Sequence, residues 1–334
     1  MDTVGDLART LVLRTHQTRL NRELDTLGTE IATGFVRDPA AHLGGDVTGL
    51  LAIDRTLSQL ETYRVNTAEA ALLADTMQTT LEEIQDRTES LSQVLLSVEL
   101  TPNDEMFQTL SGDAEDALQQ MLNGLNRSVG GRFLFSGAAT DSPSVIDSDT
   151  MLAELRGALA GETTVAGIEA QLDNWFDSAG GGFETDGYTG SDTALAPLRL
   201  SRTESVTLDI RADETVFRDM MKAVAGAALA SDETLSLSTE VKTELISTSA
   251  LALQSAQASM VELRAGLGGV EERIERTTAR NSAERTATSL ARLELVGTDE
   301  YETATRYENT RVQLESLYAI TARSSRLSLT AFLS

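Results

Sequence analysis

The chain has 334 residues, 41% of them hydrophobic but only 4% aromatic, with no cysteine and a formal net charge of −25. That length supports a sizeable core, or one long domain with a smaller companion, and the Leu, Ala, Val and Ile that dominate its apolar content are the residues of helical seams. Missing thiols exclude disulfides, thiolate nucleophiles and Cys-ligated metals. The negative charge speaks against a nucleic-acid partner, whose phosphates would be repelled.

The charge is unevenly placed. Residues 1–37 are neutral and residues 301–334 carry +1, so residues 38–300 carry −26. Neutral, amphipathic ends can pack in a dense interior, while an acidic middle suits a solvated exterior. The opening Met1-Asp2-Thr3-Val4-Gly5-Asp6 is acidic and precedes no apolar block, so no cleaved secretory signal is expected. No run approaches the ~18 apolar residues of a membrane span, so no membrane insertion is expected.

In chain order, residues 7–33 read as helix, with Leu13, Leu20, Leu24, Leu27 and Ile31 at the spacing of a coiled-coil seam. Gly34, Pro39 and Gly44-Gly45 break it. A second helix covers about 47–100. Its seam runs through Leu50, Ile53, Leu57, Leu60, Ala70, Leu73, Met77, Leu81, Ile84, Thr88, Leu91, Leu95 and Val98, with a phase shift between Met77 and Leu81. Asp104 is the expected N-cap of a third helix, 105–130.

From 138 to 211 Gly, Ser, Thr and Asp become dense. Two short helices, about 150–160 and 164–177, are expected there, and Trp175-Phe176 reads as core. Val206, Leu208 and Ile210 alternate with polar residues as in a half-buried strand. Helix resumes over about 213–230 and again over about 233–296, softly broken at Gly266 and Gly268-Gly269. A last helix, about 299–330, starts from Thr298 as N-cap and carries Ala304, Tyr307, Leu314, Leu317 and Tyr318 on one side.

The organisation is mainly α. Both chain ends build a long helical bundle, and a small α+β domain is inserted in the middle. Its segments are 1–37, 38–137, 138–211, 212–297 and 298–334.

Chemistry is scarce. His16 and His42 are the only histidines, and neither opens an HExxH zinc motif. The two lysines, Lys222 and Lys242, follow no phosphate-binding Gly-rich loop. Asp177, Glu184, Asp186 and Asp192 surround a Gly-rich loop without EF-hand spacing and read as turn residues. Nothing points to a catalytic constellation, a metal or a cofactor.

This layout resembles the flagellin superfamily, and specific segments carry the likeness. Leu27-Gly28-Thr29-Glu30-Ile31-Ala32-Thr33-Gly34 is similar to that family's helix ending in a Ser/Thr-Gly turn. Arg264-Ala265-Gly266-Leu267-Gly268-Gly269-Val270-Glu271-Glu272-Arg273 resembles its Arg-Ala-x-Leu-Gly signature. The tail with Leu327, Leu329, Phe332 and Leu333 resembles the C-terminus of its hook–filament junction members. Gly131-Arg132-Phe133-Leu134-Phe135-Ser136-Gly137, then Thr140-Asp141, is similar to a signature of those same members. The start lacks the family's Arg-Ile-Ser, and after Gly34 only Asp38-Pro39 remains of a longer run.

The resemblance implies a structural, non-enzymatic subunit of the flagellum. It implies a ring between hook and filament, assembled through Leu13, Leu20, Leu24, Leu27, Ile31, Tyr307, Leu314, Tyr318, Leu327, Leu329, Phe332 and Leu333. It also implies neighbouring hook-associated protein and flagellin as partners, export by the flagellar type III route to an extracellular location, and a chaperone at the C-terminal helix. In a free monomer both ends are expected to be largely unfolded, each lacking a partner for its apolar stripe, and to order on assembly. Filament flagellin and a soluble helical signalling or binding module remain the alternatives.

Overall fold

The computed structural model describes residues 4–97 and 103–332, with side chains described from residue 8 to residue 323. The fold is mainly α. Its helices are α1 (Val4–Thr33), α2 (Pro39–His42), α3 (Thr48–Leu96), α4 (Asp104–Leu125), α5 (Ser148–Ala158), α6 (Val165–Asp177), α7 (Thr215–Leu229), α8 (Thr239–Val296) and α9 (Glu300–Phe332). Two minimal antiparallel hairpins accompany them, β1 (Ser128–Val129) with β2 (Arg132–Phe133) and β3 (Leu198–Arg199) with β4 (Ser205–Val206). The chain forms two compact units, one from residues up to Thr62 together with those from Ser282 onward, the other from Tyr63 to Asn281. The five segments read from composition are distributed over these two.

In the first unit α1 and α9 lie antiparallel. Gly28 sits beside Tyr307, and toward the other end Gln17 Nε2 donates to the Tyr318 hydroxyl at 3.2 Å. Leu20, Leu27 and Leu314 are buried between them. The expectation that each end lacks a partner in a single chain is therefore corrected: their two stripes are complementary and cover each other. The buried side of α9 runs Thr303, Tyr307, Thr310, Leu314 and Leu317, with Tyr307 and Leu317 half-buried. Ala304 and Tyr318, expected there, are exposed.

At the base the Gly34–Val36 strand crosses residues 296–298. Val36 N donates to Val296 O at 2.9 Å and Thr298 N to Gly34 O at 3.0 Å. The cap of α9 is Asp299, whose carboxylate accepts from Glu302 N at 2.9 Å. Thr298 was expected in that place but is held in the crossing. Asp38 caps α2 through Ala41 N, with Pro39 in the first turn.

In the second unit the α3 seam from Ala70 to Leu95 is buried as its periodicity requires. The phase shift after Met77 is absorbed because Thr80 and Leu81 both turn inward, and Thr80 and Ile84 fit against Gly124 of α4. Asn103, one residue earlier than expected, caps α4 by accepting from Met106 N at 2.8 Å. That helix ends at Leu125 rather than 130. Gly130 (φ 60°) and Gly131 (φ 80°) take the left-handed conformation that turns β1 into β2.

The centre of the unit is α4 packed on α7, with α5 and α6 against them. Nearly every residue of α7 from Val216 to Leu229 is buried, including Ala223, Ala225, Gly226, Ala227 and Ala228. Such small side chains let neighbouring helices approach closely, and Ser111 Oγ reaches the Ala227 carbonyl at 2.9 Å. Trp175 and Phe176 are core residues clustered with Phe183. Val206, Leu208 and Ile210 point inward alternately, although only Ser205–Val206 joins a ladder.

The expected break at Gly266 and Gly268-Gly269 does not occur, and α8 is continuous from Thr239 to Val296. Its buried positions Leu253, Met260, Leu267 and Ile274 keep a seven-residue step through the glycines, so packing overrides their weak helix propensity. A methyl group at Gly266 or Gly269 would meet nothing within 4 Å. Gly266→Ala and Gly269→Ala are each expected to stabilise by about 0.5–1 kcal/mol, read as a raised thermal midpoint.

Candidate assembly surfaces

Three places hold the residues singled out from sequence. The first is the α1–α9 pair. Leu20 and Leu27 are buried, Leu13, Leu24 and Tyr307 half-buried, and Ile31 exposed. Pairing two helices covers one side of each, and Leu11, Val12, Ile31, Val312 and Ile320 stay open to solvent. Leu327, Leu329 and Phe332 lie on the α9 backbone, but their side chains, and Leu333 altogether, fall outside the described residues. Beside the pair lies a polar cleft of ≈570 Å³ bordered by Arg22, Glu30, His42, Asp299, Glu302 and Arg306. His16 is exposed on α1.

The second place is the segment Gly131–Gly137. Arg132 Nη1 pairs with Glu69 Oε1 at 2.8 Å. Phe133 N donates to Thr140 O at 2.8 Å and Leu134 N to Arg127 O at 3.1 Å. Phe133 is half-buried, while Phe135 is fully buried, edge-to-face with Phe217 at 6.2 Å. Its carbonyl accepts from Ala212 N at 2.9 Å. Gly137 (φ 62°) is wedged against the backbone oxygens of Ser191 and Thr193.

The segment thus laces the end of α4 to the loops at 191–193 and 211–212, ahead of α7. Asn126, which no periodicity reveals, completes the lacing. Its Oδ1 accepts from Ser144 N (2.7 Å) and Val145 N (3.0 Å), while its Nδ2 donates to Val145 O at 2.8 Å. An Asn directly after the last apolar residue of a helix was the one available signal.

The third place is the α3–α8 seam of the second unit. Arg264 Nη1 donates to Gln85 Oε1 at 2.7 Å, and Nη2 lies 3.5 Å from Glu82. Gln257 reaches Thr88 Oγ1 at 3.0 Å, and Ser92 Oγ reaches Ala250 O at 2.9 Å. Leu267 is buried, Gly268 half-buried, and Arg273 exposed. Burial, helped by the Asp75 carboxylate, raises the Glu271 carboxyl above its usual range.

The acids near the Gly-rich loop serve structure. Asp177 pairs with Arg218 (3.1 Å) and Lys222 (2.6 Å), Glu184 accepts from Gly180 N at 2.7 Å, and Asp186 from Thr185 Oγ1 at 2.7 Å. Burial pushes the Tyr188 hydroxyl well above its usual range, and it donates to Ser191 O. Among the described residues no helix is long and apolar enough to cross a membrane, and no cluster of His, Cys, Asp and Glu suits a metal ion.

The fold, mainly α with long helices from both chain ends packed together, is flagellin-like. Residues 251–333 match the bacterial flagellin C-terminal helical region. No curated protein matches the chain in sequence. Among solved structures, it is similar to one described as a flagellar hook-associated protein from Vibrio parahaemolyticus, at 13% identity and a TM-score of 0.54, over 77% of this chain and 98% of that one. It is also similar to Bacillus cereus FlgL, at 11% identity and a TM-score of 0.51, over 72% of this chain and 99% of that one. At such identities the likeness is one of fold. The resemblance to the flagellin superfamily read from sequence holds in the C-terminal helical region and in the fold, and together these support a structural role in the bacterial flagellum.

Proposed function

We propose that this chain is a non-catalytic subunit of the hook–filament junction, joined into a ring through its terminal helices. The observation that carries the reading is the half-covered α1–α9 pair. Leu20, Leu27 and Leu314 are buried while Leu11, Val12, Ile31, Val312 and Ile320 are bare, so further helices are needed to bury what one chain leaves open. The near-neutral ends favour such packing, whereas the acidic middle, including residues 138–211, stays in solvent.

Hook-associated protein and flagellin are its neighbours in this reading. A chaperone covers α9 before the chain leaves the cell by the flagellar type III route. The Gly131–Gly137 segment favours the junction over the filament.

The test is sedimentation and negative-stain microscopy of the full chain and of a chain ending at Asp299. Closed rings from the full chain only, with a monomer from the truncated one whose second unit stays folded, are expected. Long filaments would replace this reading with filament flagellin. A full chain that stays monomeric at every concentration, with protease-resistant ends, would replace it with a self-contained helical module.

A further inference from the structure

Where α6 and α7 flank α8, a cleft of ≈320 Å³ opens in the second unit. Its rim is acidic. Glu169 and Asp173 stand on α6 and Asp219 on α7, against one cation, Lys222. Lys222 Nζ is already held between two carboxylates, 2.7 Å from Asp173 Oδ1 and 2.6 Å from Asp177 Oδ2, with Asp219 farther off at 3.9 Å. Glu169 has no partner among the described residues. Three carboxylates against one ammonium leave the lining negative, yet among the described residues no cluster of acids suits a metal ion.

The α8 wall is of another kind. Ala252, Ser255 and Ser259 line its outer part. Deeper in, Ser249 is only 5% exposed. Its hydroxyl has no protein partner among the described residues, whereas that of the adjacent Thr248 is satisfied by Leu245 O at 3.1 Å. Gly226 leaves room at this depth. A Cβ there would lie 3.1 Å from Ser249 Oγ and 3.4 Å from Leu172 Cδ1, and Ser249 and Leu172 both line the cleft. An acidic rim by itself is a solvated edge. A buried hydroxyl is ordinarily bonded, so an unspent one beneath that rim is a feature a ligand can satisfy.

We propose that this cleft binds a small hydroxylated amine. The ammonium meets Glu169 and Asp219 at the rim, the carbon chain lies along Leu172 and Ala252, and the hydroxyl reaches Ser249. Lys222 shows that these carboxylates take an ammonium at hydrogen-bond distance. A serine hydroxyl both donates and accepts, so it pairs with a ligand hydroxyl without burying a charge beside it. The volume is at the small end of ligand sites, which suits a ligand of a few carbons. This inference is independent of the junction reading, because the cleft belongs to a single chain.

The test uses three probes of one length on the full chain in physiological salt, followed by ligand-observed NMR. They are 4-amino-1-butanol, n-butylamine and 1,4-butanediol. The amino alcohol is expected to bind more tightly than either. Ser249→Ala should weaken it about two- to tenfold, down to the level of butylamine, and leave butylamine unchanged. Glu169→Gln, at an exposed position, should weaken both amines about two- to fivefold. Ala252→Leu, also at an exposed position, fills the cleft without altering charge and should abolish binding. Amines that bind equally to the parent and to Ala252→Leu would reveal diffuse attraction to an acidic surface and overturn the site. A diol that binds as tightly as the amino alcohol, or an amino alcohol no better than butylamine, overturns it as well.

Discussion

Gly137→Val is expected to destabilise the second unit by about 2–5 kcal/mol, lowering its melting temperature by roughly 4–20 °C. Two costs combine. Gly137 has φ 62°, where a side chain costs about 1–2 kcal/mol. A Cβ there would also lie 2.5 Å from Ser191 O and 2.6 Å from Thr193 O, an overpacking of about 1–3 kcal/mol. Those oxygens are backbone and cannot swing aside, since Thr193 O already accepts from Ala138 N at 2.9 Å. Gly131→Ala separates the two costs. Its φ is 80° but nothing lies within 4 Å of the added methyl, so about 1 kcal/mol is expected. Equal melting shifts for both variants would show that the Gly137 wedge is not tight in solution.

Leu27→Asp is expected to part the terminal helices while the second unit melts unchanged. Leu27 is 2% exposed, and burying an unpaired carboxylate costs several kcal/mol, more than two exposed helices can offset. Circular dichroism should show lost helix, and trypsin should trim the chain from both ends. Ile31→Asp, at a 40% exposed site on the same helix, should leave the monomer's helicity intact and block only association. If Leu27→Asp resists trypsin as the parent does, the α1–α9 packing does not hold the ends.

Much of this fold was legible because its cores are periodic. The α3 positions Leu73, Met77, Leu81, Ile84, Leu91 and Leu95 are all buried, and the α1 seam gave Leu20 and Leu27. What stayed hidden is polar or local. Thr303 and Thr310 are buried on α9, as are Thr67 and Thr80 on α3 and Thr277 and Asn281 on α8. A hydrophobic pattern passes over such residues, which is why the expected α9 face holds Tyr307, Leu314 and Leu317 correctly but takes Ala304 in place of Thr303.

Thr67 and Thr80 satisfy their hydroxyls on carbonyls of their own helix, Arg64 O and Thr76 O, while Asn281 reaches Leu200 O at 2.8 Å. The caps at Asn103 and Asp299 were missed by one residue, since adjacent Asn-Asp or Thr-Asp pairs offer two competent side chains. The glycines of α8 misled for another reason, as a long seam outweighs about 0.5–1 kcal/mol at each. Of the candidate surfaces, the Gly131–Gly137 segment was visible as a motif, but its partners at 191–193 and 211–212 are distant in sequence and needed the fold.

The crossing of Gly34–Val36 with residues 296–298 has a mechanical meaning. The arms α1 and α9 leave it side by side, fastened by two backbone hydrogen bonds and by Arg292 stacked 4.4 Å over the Phe35 ring. Tension or twist applied to one arm is therefore handed to the other at its root, through main chain rather than through side chains that can slip. For a part that would sit in a rotating shaft, this shares load between the two ends of the chain, and the crossing rather than either helix is the link whose rupture lets them act separately.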